Sequence, residues 1–366
     1  MTASPPIRPV RLAVIGAGLV GQRHAELAAG HPDVDLMAIV DPDPGRQDLA
    51  DQLGCELAGS IDQIPDQACD AAIIATPNSD HLASGLACLA RKWPCLIEKP
   101  VADTIDNGER LVRAFDRQGI ALLIGHHRRY HPFVDRARGI IQSRELGDPV
   151  MASIIWAVRK PDAYFRQGAW RLGADGGPLL INLIHELDLM LSIFGPVREV
   201  QAIASNARRG GAVEDSAAIA FRFENAMLAT VMLSDAALTP WSFEGASGEN
   251  PNIAPTGAAS WRVGCTQGAF DFPSLNIWRP GKPGDGDWSR PLETARIPTQ
   301  PVDPLRAQLQ HFASLVRGES RTPQVSGHDG LEALRLLAAI KQAAELQVAV
   351  QLPTRSTRQA AGQATR

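Results

Sequence analysis

The chain has 366 residues, 45% of them apolar and 21% charged, with 40 acidic against 36 basic side chains and a net charge of −4. At roughly 150 residues per domain this is length for two packed domains; the composition excludes global disorder, and the acidic balance argues against a dedicated nucleic-acid binder, which carries a basic stripe. No apolar run approaches the ~20 residues of a membrane span, the Pro-rich start lacks the apolar core of a secretory signal, and five cysteines without a Cys-x-x-Cys pair read as reduced thiols of a cytosolic protein, not as a disulfide frame or zinc site.

After a loose start, apolar β-type runs alternate with helical ones. Arg11–Ile15, Leu36–Val40, Ala71–Ala75, Cys95–Ile97 and Ala121–Ile124 read as strands, and 19–29, 45–53, 80–91 and 103–118 as helices. Strands apolar on both faces and separated by helices predict a doubly wound parallel sheet, a Rossmann-type domain over 1–125. The second half reads differently. Asp135–Arg144 is helical, Met151–Val158 a strand, and 178–194 a strongly apolar helix. Val200–Ser205, Ala217–Phe223 and Ala226–Ser234 form a strand meander. Residues 239–304 are rich in Pro and Gly, with short strand candidates such as Ser260–Cys265, and predict hairpins and irregular surface. Helix returns over Pro304–Arg317 and Asp329–Leu346. This pattern predicts an α+β domain over 126–353 with a large open mixed or antiparallel sheet, and a frayed tail over 354–366.

The first chemical motif is Gly16-Ala17-Gly18-Leu19-Val20-Gly21, between a strand and a helix. Its glycines permit a tight turn, the approach of a pyrophosphate and close helix–strand packing, and the helix N-terminus offers free N–H groups to phosphate. Asp41 lies 20 residues beyond Gly21, where a carboxylate accepts from ribose hydroxyls and repels a 2′-phosphate. NAD is therefore expected ahead of NADP. Thr76-Pro77-Asn78, with His81, follows the next apolar run at the carboxyl end of the sheet. Asn78 and His81 are placed to reach ribose or nicotinamide; alternatively, Ser79 or Asp80 simply caps a helix. Glu98-Lys99-Pro100 leaves the following strand. A lysine there is costly to desolvate, and burial lowers its pKa toward proton-transfer work; the plainer reading is an ion pair with Glu98.

Later signals are weaker alone. Gly125-His126-His127-Arg128-Arg129-Tyr130-His131-Pro132 suits an anionic or polyhydroxylated ligand, with Arg128 as the carboxylate fork, or else a solvated helix start paired with Asp135. His185 lies on an apolar helix with Asp188 at i+3, a pair that also resembles half a metal site; no further ligand set accompanies it.

In their order and spacing, the glycine turn, the Thr-Pro-Asn segment with His81, Glu98-Lys99-Pro100, and Gly176-Gly177 followed by His185 and Asp188 resemble the Gfo/Idh/MocA family of nicotinamide-dependent oxidoreductases. The resemblance runs from about 9 to 352. It implies a Rossmann domain followed by an α/β domain whose open sheet makes a homodimer or homotetramer contact. Lys99 would be the proton-handling residue, Pro100 would sit in a bend at the active site, and His185 would share substrate binding and acid/base work. Thr76, Pro77, Asn78, His81, Glu98 and Lys99 would line the cofactor. Lys160, Tyr164, Trp170 and Arg171 resemble the substrate loop after the first strand of the second domain. One departure stands out: the family commonly places Asp four residues before the histidine, and here that position is Ile181. Asn182 is next to it and can bind but cannot act as a carboxylate base.

The resulting expectation is a cytoplasmic NAD-dependent dehydrogenase of a sugar, sugar acid or cyclic polyol, with a small-molecule substrate and no nucleic-acid, membrane or metal partner. The alternatives are a dehydrogenase of a cyclic diene-diol carboxylate and a non-catalytic NAD sensor.

Overall fold

The computed structural model describes residues 8–282, 284, 286–300 and 302–353. The expected tail over 354–366 and most of the Pro-rich start lie outside them. Two compact units are present. One runs to Tyr130 and takes in Val302–Leu334; the other begins at His131 and resumes at Arg335.

In the first unit the strands are β1 Val10–Ile15, β2 Val34–Val40, β3 Glu56–Ala58, β4 Ala71–Ile74, β5 Cys95–Ile97 and β6 Leu122–Ile124. Its helices are α1 Leu19–Ala29, α2 Gln47–Leu53, α3 His81–Ala90 and α4 Ile105–Gln118. All strand pairs are parallel, in the order β3-β2-β1-β4-β5-β6. That is the doubly wound Rossmann order, with its switch point between β1 and β4. The strands are apolar because helices cover both faces: Val14, Ile73, Leu96 and Leu123 are fully buried. Only the three-residue β3 was absent from the expected set.

Later in the chain, the helix Pro304–Val316 adds Leu309, Phe312 and Ala313 to this same core. Asp303 caps it by accepting from the Leu305 and Arg306 N–H groups, with Pro304 at its first position. Another long helix follows over Gly327–Leu346, and its Leu331 and Leu334 also pack into the first unit's core.

The second unit opens with α5 Pro132–Ser143 and β7 Pro149–Ala157, then α6 Asp162–Arg166. A π-helical turn over Leu179–Leu183 leads into α7 Ile184–Phe194. The expected single helix over 178–194 is thus two pieces. Next come β8 Val197–Ser205, β9 Ser216–Phe223, β10 Leu228–Ser234, the short α8 Phe243–Ser247, and a meander of β11 Trp261–Cys265, β12 Gly268–Phe272, β13 Asn276–Pro280 and β14 Leu292–Arg296. The two later helices follow the meander and become α9 and α10, and β15 Val350–Gln351 closes the order. The nine strands form one sheet, β14-β13-β12-β11-β7-β10-β9-β8-β15, parallel only at β7–β10. The region expected as hairpins and irregular surface therefore supplies four strands of this sheet.

Alternation decides which side of that sheet is buried. Along β9, Ala217, Ile219, Phe221 and Phe223 are buried, and the residues between them are exposed. Trp156, Trp261, Phe243 and Phe272 build an aromatic core, with the Trp261 and Phe272 rings 5.0 Å apart. Two buried indoles find carboxylate acceptors: Trp156 donates to Glu244 at 2.8 Å and Trp261 to Glu186 at 2.7 Å. All five cysteines are free. No helix among the described residues is long and apolar enough to cross a membrane.

Candidate active site

The turn after β1 is dictated by contact distances. Gly16 has φ +86°, and a Cβ there would lie 2.8 Å from the Ala75 carbonyl and the Thr76 nitrogen. A Cβ on Gly21 would lie 1.8 Å from the Gly16 carbonyl oxygen. These two glycines serve the protein's own packing. Gly18 does not: its φ of −65° and ψ of −170° suit any residue, and nothing lies within 4 Å of the place its Cβ would take. The open space above Gly18 is what an approaching pyrophosphate needs. No side chain caps α1 and no acidic residue stands in its first turn, so its terminal N–H groups are available to an anion. Leu19 and Val20 begin that turn and are exposed.

Asp41 Oδ2 accepts from the Ala17 N–H at 2.7 Å and Oδ1 from the Asp43 N–H at 2.9 Å. The carboxylate is thus fixed against the turn, and each oxygen keeps a lone pair for a ribose hydroxyl. Thr76 Oγ1, beside Gly16, is buried with no hydrogen-bond partner among the described residues. An open cradle, an uncapped helix, a fixed carboxylate and an unused hydroxyl together fit a dinucleotide. Pro77 is exposed and Asn78 half-buried at a 3-10 turn ahead of α3. Neither Ser79 nor Asp80 caps α3; the Ser79 hydroxyl bonds the Asp80 carboxylate instead.

His81 and Glu98 brace the first unit's frame. The His81 ring is buried, with Nδ1 2.9 Å from the Pro100 carbonyl and Nε2 3.1 Å from that of Thr76. It ties the β4 and β5 exits together. Glu98 Oε1 is 2.8 Å from His24 Nε2, on α1, and Oε2 accepts from the Lys99 N–H at 3.2 Å. Burial alone would raise the Glu98 carboxyl, but the His24 hydrogen bond and charge, with the charges of Lys99 and His127, bring it down to about 2. These contacts place Thr76, Lys99 and Pro100. Lys99 leaves β5 through a cis peptide to Pro100. Burial draws its ammonium below the ordinary value; the Glu98 charge opposes that shift and the Arg128 charge adds to it.

The Arg128–Arg129 pair is not a solvated helix start. Both side chains are buried in a 3-10 turn, and Arg129 pairs with Asp329 at 3.3 Å. Asp135 pairs with Arg138 instead.

In the second unit, Lys160 Nζ donates to Asn182 Oδ1 at 2.7 Å and stands 3.5 Å from Asp235 Oδ2. Burial pulls Lys160 down to about 8, while the Asp235 charge and hydrogen bond work the other way. Asn182 belongs to the π-helical turn, a distortion frequent at functional sites. Its entry needs Gly176 and Gly177: a Cβ on Gly176 would lie 2.2 Å from the Arg171 carbonyl oxygen, and one on Gly177 2.5 Å from Glu214. Glu214 accepts from the Leu179 N–H at 2.9 Å and secures the turn's start. His185 is buried three residues beyond Asn182, with Glu186 and Asp188 also buried on α7. The Arg171 guanidinium lies 4.1 Å from the Tyr164 ring centre and 5.2 Å from that of the exposed Trp170. Among the described residues no three His, Cys, Asp or Glu side chains are arranged to hold a metal ion.

Three contributors were not singled out in the sequence: His24, Asp235 and Arg209. Arg209 Nε donates to Asp235 at 2.5 Å. Their partners lie tens of residues away, and no spacing rule signals them.

A family model described as an oxidoreductase family with an NAD-binding Rossmann fold matches residues 10–126, and a Gfo/Idh/MocA C-terminal domain model matches 134–270. The inositol 2-dehydrogenase of Acidothermus cellulolyticus is 30% identical over 235 residues, 62% of this chain and 67% of that protein. An Agrobacterium radiobacter oxidoreductase solved with NAD+, L-tartaric acid and magnesium superposes with a TM-score of 0.78 at 20% identity, covering 93% of this chain and 98% of that one. The WlbA dehydrogenase of Bordetella pertussis, solved with NADH and UDP-GlcNAcA, gives 0.78 at 22% identity, over 95% and 100%. At these identities the two structures speak for the fold.

Gly18→Ala separates a ligand requirement from a packing one. Its melting temperature without cofactor is expected to match the parent, because the methyl meets nothing. Its NADH affinity, measured by fluorescence titration, is expected to fall about tenfold or more. Unchanged affinity would mean that the pyrophosphate does not pass over Gly18.

Proposed function

This chain belongs to the Gfo/Idh/MocA oxidoreductase family, its first unit being the NAD-binding Rossmann domain, and on that premise we propose that it is an NAD-dependent dehydrogenase of a secondary alcohol in a sugar, sugar acid or cyclic polyol. The observation that carries this reading is Lys99, a lysine at the exit of a buried strand whose pKa burial has lowered, in the same unit as the open glycine cradle. NAD, when bound, supplies the hydride acceptor. Gly16–Gly21 and the α1 N-terminus hold its phosphates. Asp41 takes the ribose hydroxyls and disfavours a 2′-phosphate. Thr76, Pro77 and Asn78 border the nicotinamide end.

Lys99 binds the substrate hydroxyl and receives its proton as the carbonyl forms, a task suited to an amine with a depressed pKa. His185, on the second unit, is the further residue assigned to substrate binding and acid/base work. With Ile181 at the usual aspartate position, the second unit supplies no carboxylate base there, and Asn182 contributes hydrogen bonding only. Arg128, Tyr164, Trp170 and Arg171 complete substrate binding. The names of the relatives, an inositol dehydrogenase and a dehydrogenase solved with a nucleotide sugar acid, support a polyhydroxylated substrate.

The uncovered side of the nine-stranded sheet supports self-association. In register across it stand Ile203, Ala218, Met232 and Ile155; Ile203 and Met232 are exposed, as are Leu228 and Met151. An apolar row of this kind on an otherwise charged protein fits a second copy of the same sheet.

Two experiments test these readings. Sugars, inositols and sugar acids, offered with NAD, are expected to yield NADH for one group. Lys99→Ala should lower that rate by about 10²–10⁴ with NADH binding intact. A loss below about tenfold would remove Lys99 from the proton's path, and NADH binding without any turnover would favour a sensor. Met232→Lys should shift the sedimentation coefficient toward the monomer; an unchanged assembly would place the contact elsewhere.

A further inference from the structure

The polar group around Lys160 has a consistent imbalance between donors and acceptors. Every carboxylate near it is engaged. Asp235 Oδ1 takes the Arg209 Nε, and Oδ2 faces Lys160. Asp215 Oδ2 accepts the backbone N–H groups of Arg208 and Arg209. Glu244 accepts from Trp156, and Glu214 from the Leu179 N–H. Asn182 spends its carbonyl oxygen on Lys160, which fixes the amide so that its NH2 remains to donate.

Donors are left over. Arg171 Nη1 bonds the Tyr164 carbonyl at 2.7 Å, while its Nε is buried with no hydrogen-bond partner among the described residues. The Lys160 ammonium carries three hydrogens and has Asn182 and Asp235 as polar partners; it also lies 5.0 Å from the Tyr164 ring centre. Lys160 and Arg171 thus converge on one phenol ring, beside the turn that carries Asn182. A hydroxyl placed among these groups has two lone pairs and can meet at most two of these donors. A carboxylate has acceptors only, suits all the leftover donors, and compensates cations held out of water.

We propose that Lys160, Asn182 and Arg171 receive a carboxylate, so that the substrate of this chain is a hydroxy acid of the sugar-acid class and not a neutral polyol. This rests on the dehydrogenase reading and narrows its substrate. Asn182 then serves as a donor to the acid group, its orientation set by Lys160. A carboxylate at Ile181 or Asn182 would repel such a substrate, which gives the departure from the family pattern a chemical reason.

The test uses the full chain loaded with NADH. Binding of D-gluconate and D-galactonate is compared with that of D-glucitol and D-galactitol, which keep the acids' hydroxyls and carry a neutral hydroxymethyl group where the acids carry the carboxylate. The acids are expected to bind about 10- to 100-fold more tightly. Asn182→Asp keeps a partner for Lys160 and replaces the donor by a negative oxygen. It should abolish the preference with the melting temperature retained, and Lys160→Met, which leaves Asp235 its Arg209 partner, should reduce acid binding by more than it reduces alditol binding. Alditols binding as tightly as their acids, no acid binding at all, or an acid preference that survives Asn182→Asp would overturn the assignment. Alditol turnover with inert acids would do so too, while leaving the dehydrogenase reading in place; failure to bind NADH would remove the reading itself.

Discussion

The first unit depends on one steric constraint: the chain leaving β1 must pass against β4 with no side chain between them. Gly16 meets the Ala75–Thr76 peptide, and Gly21 meets the Gly16 carbonyl, at separations that admit only hydrogen. Because α1 starts that close to the sheet, its N-terminal N–H groups open at the carboxyl edge, at the switch point of the strand order. Asp41 ties β2 to the same turn through the Ala17 N–H. From α1, His24 reaches Glu98, which in turn holds the Lys99 N–H. One helix therefore sets both the glycine turn and the backbone of Lys99.

The second unit positions its polar groups by a different device. The Gly176-Gly177 pair admits the chain beside Arg171, Glu214 secures the start of the π-helical turn, and Lys160 holds Asn182 on it. The turn replaces regular helix where a regular one was expected, and it delivers Asn182 to Lys160 just ahead of His185. Burial makes these contacts costly to break: Lys160, Asp235 and His185 are each less than a tenth exposed. Removing one member would leave a charge without its partner out of water.

The sequence was legible where local pattern and burial coincide. Strands such as Ala71–Ile74, buried along their whole length, announce themselves as apolar runs, and Gly16–Gly21 with Asp41 follows from what a phosphate turn needs. Legibility failed where backbone pairing alone makes the structure. Every residue of β14 is exposed; it is held by its ladder to β13, so no apolar alternation marks it. The helical pattern of Pro304–Arg317 showed an apolar face but not which core it serves, and Leu309 and Phe312 join that of the first unit. His24 and Glu98 meet across 74 residues of chain, beyond any periodicity. Lys160 did leave a trace, since Lys160-Pro161 after a strand repeats the form of Lys99-Pro100, but its grip on Asn182 needed the fold.

The cofactor cradle is the claim on which the rest stands, and comparing NADH with NADPH on one preparation tests it most directly. Fluorescence titration should show saturable NADH binding, with NADPH weaker by about tenfold or more because its 2′-phosphate meets the fixed Asp41 carboxylate. Equal or tighter NADPH binding would contradict the role given to Asp41, and absence of binding by either would contradict the cradle.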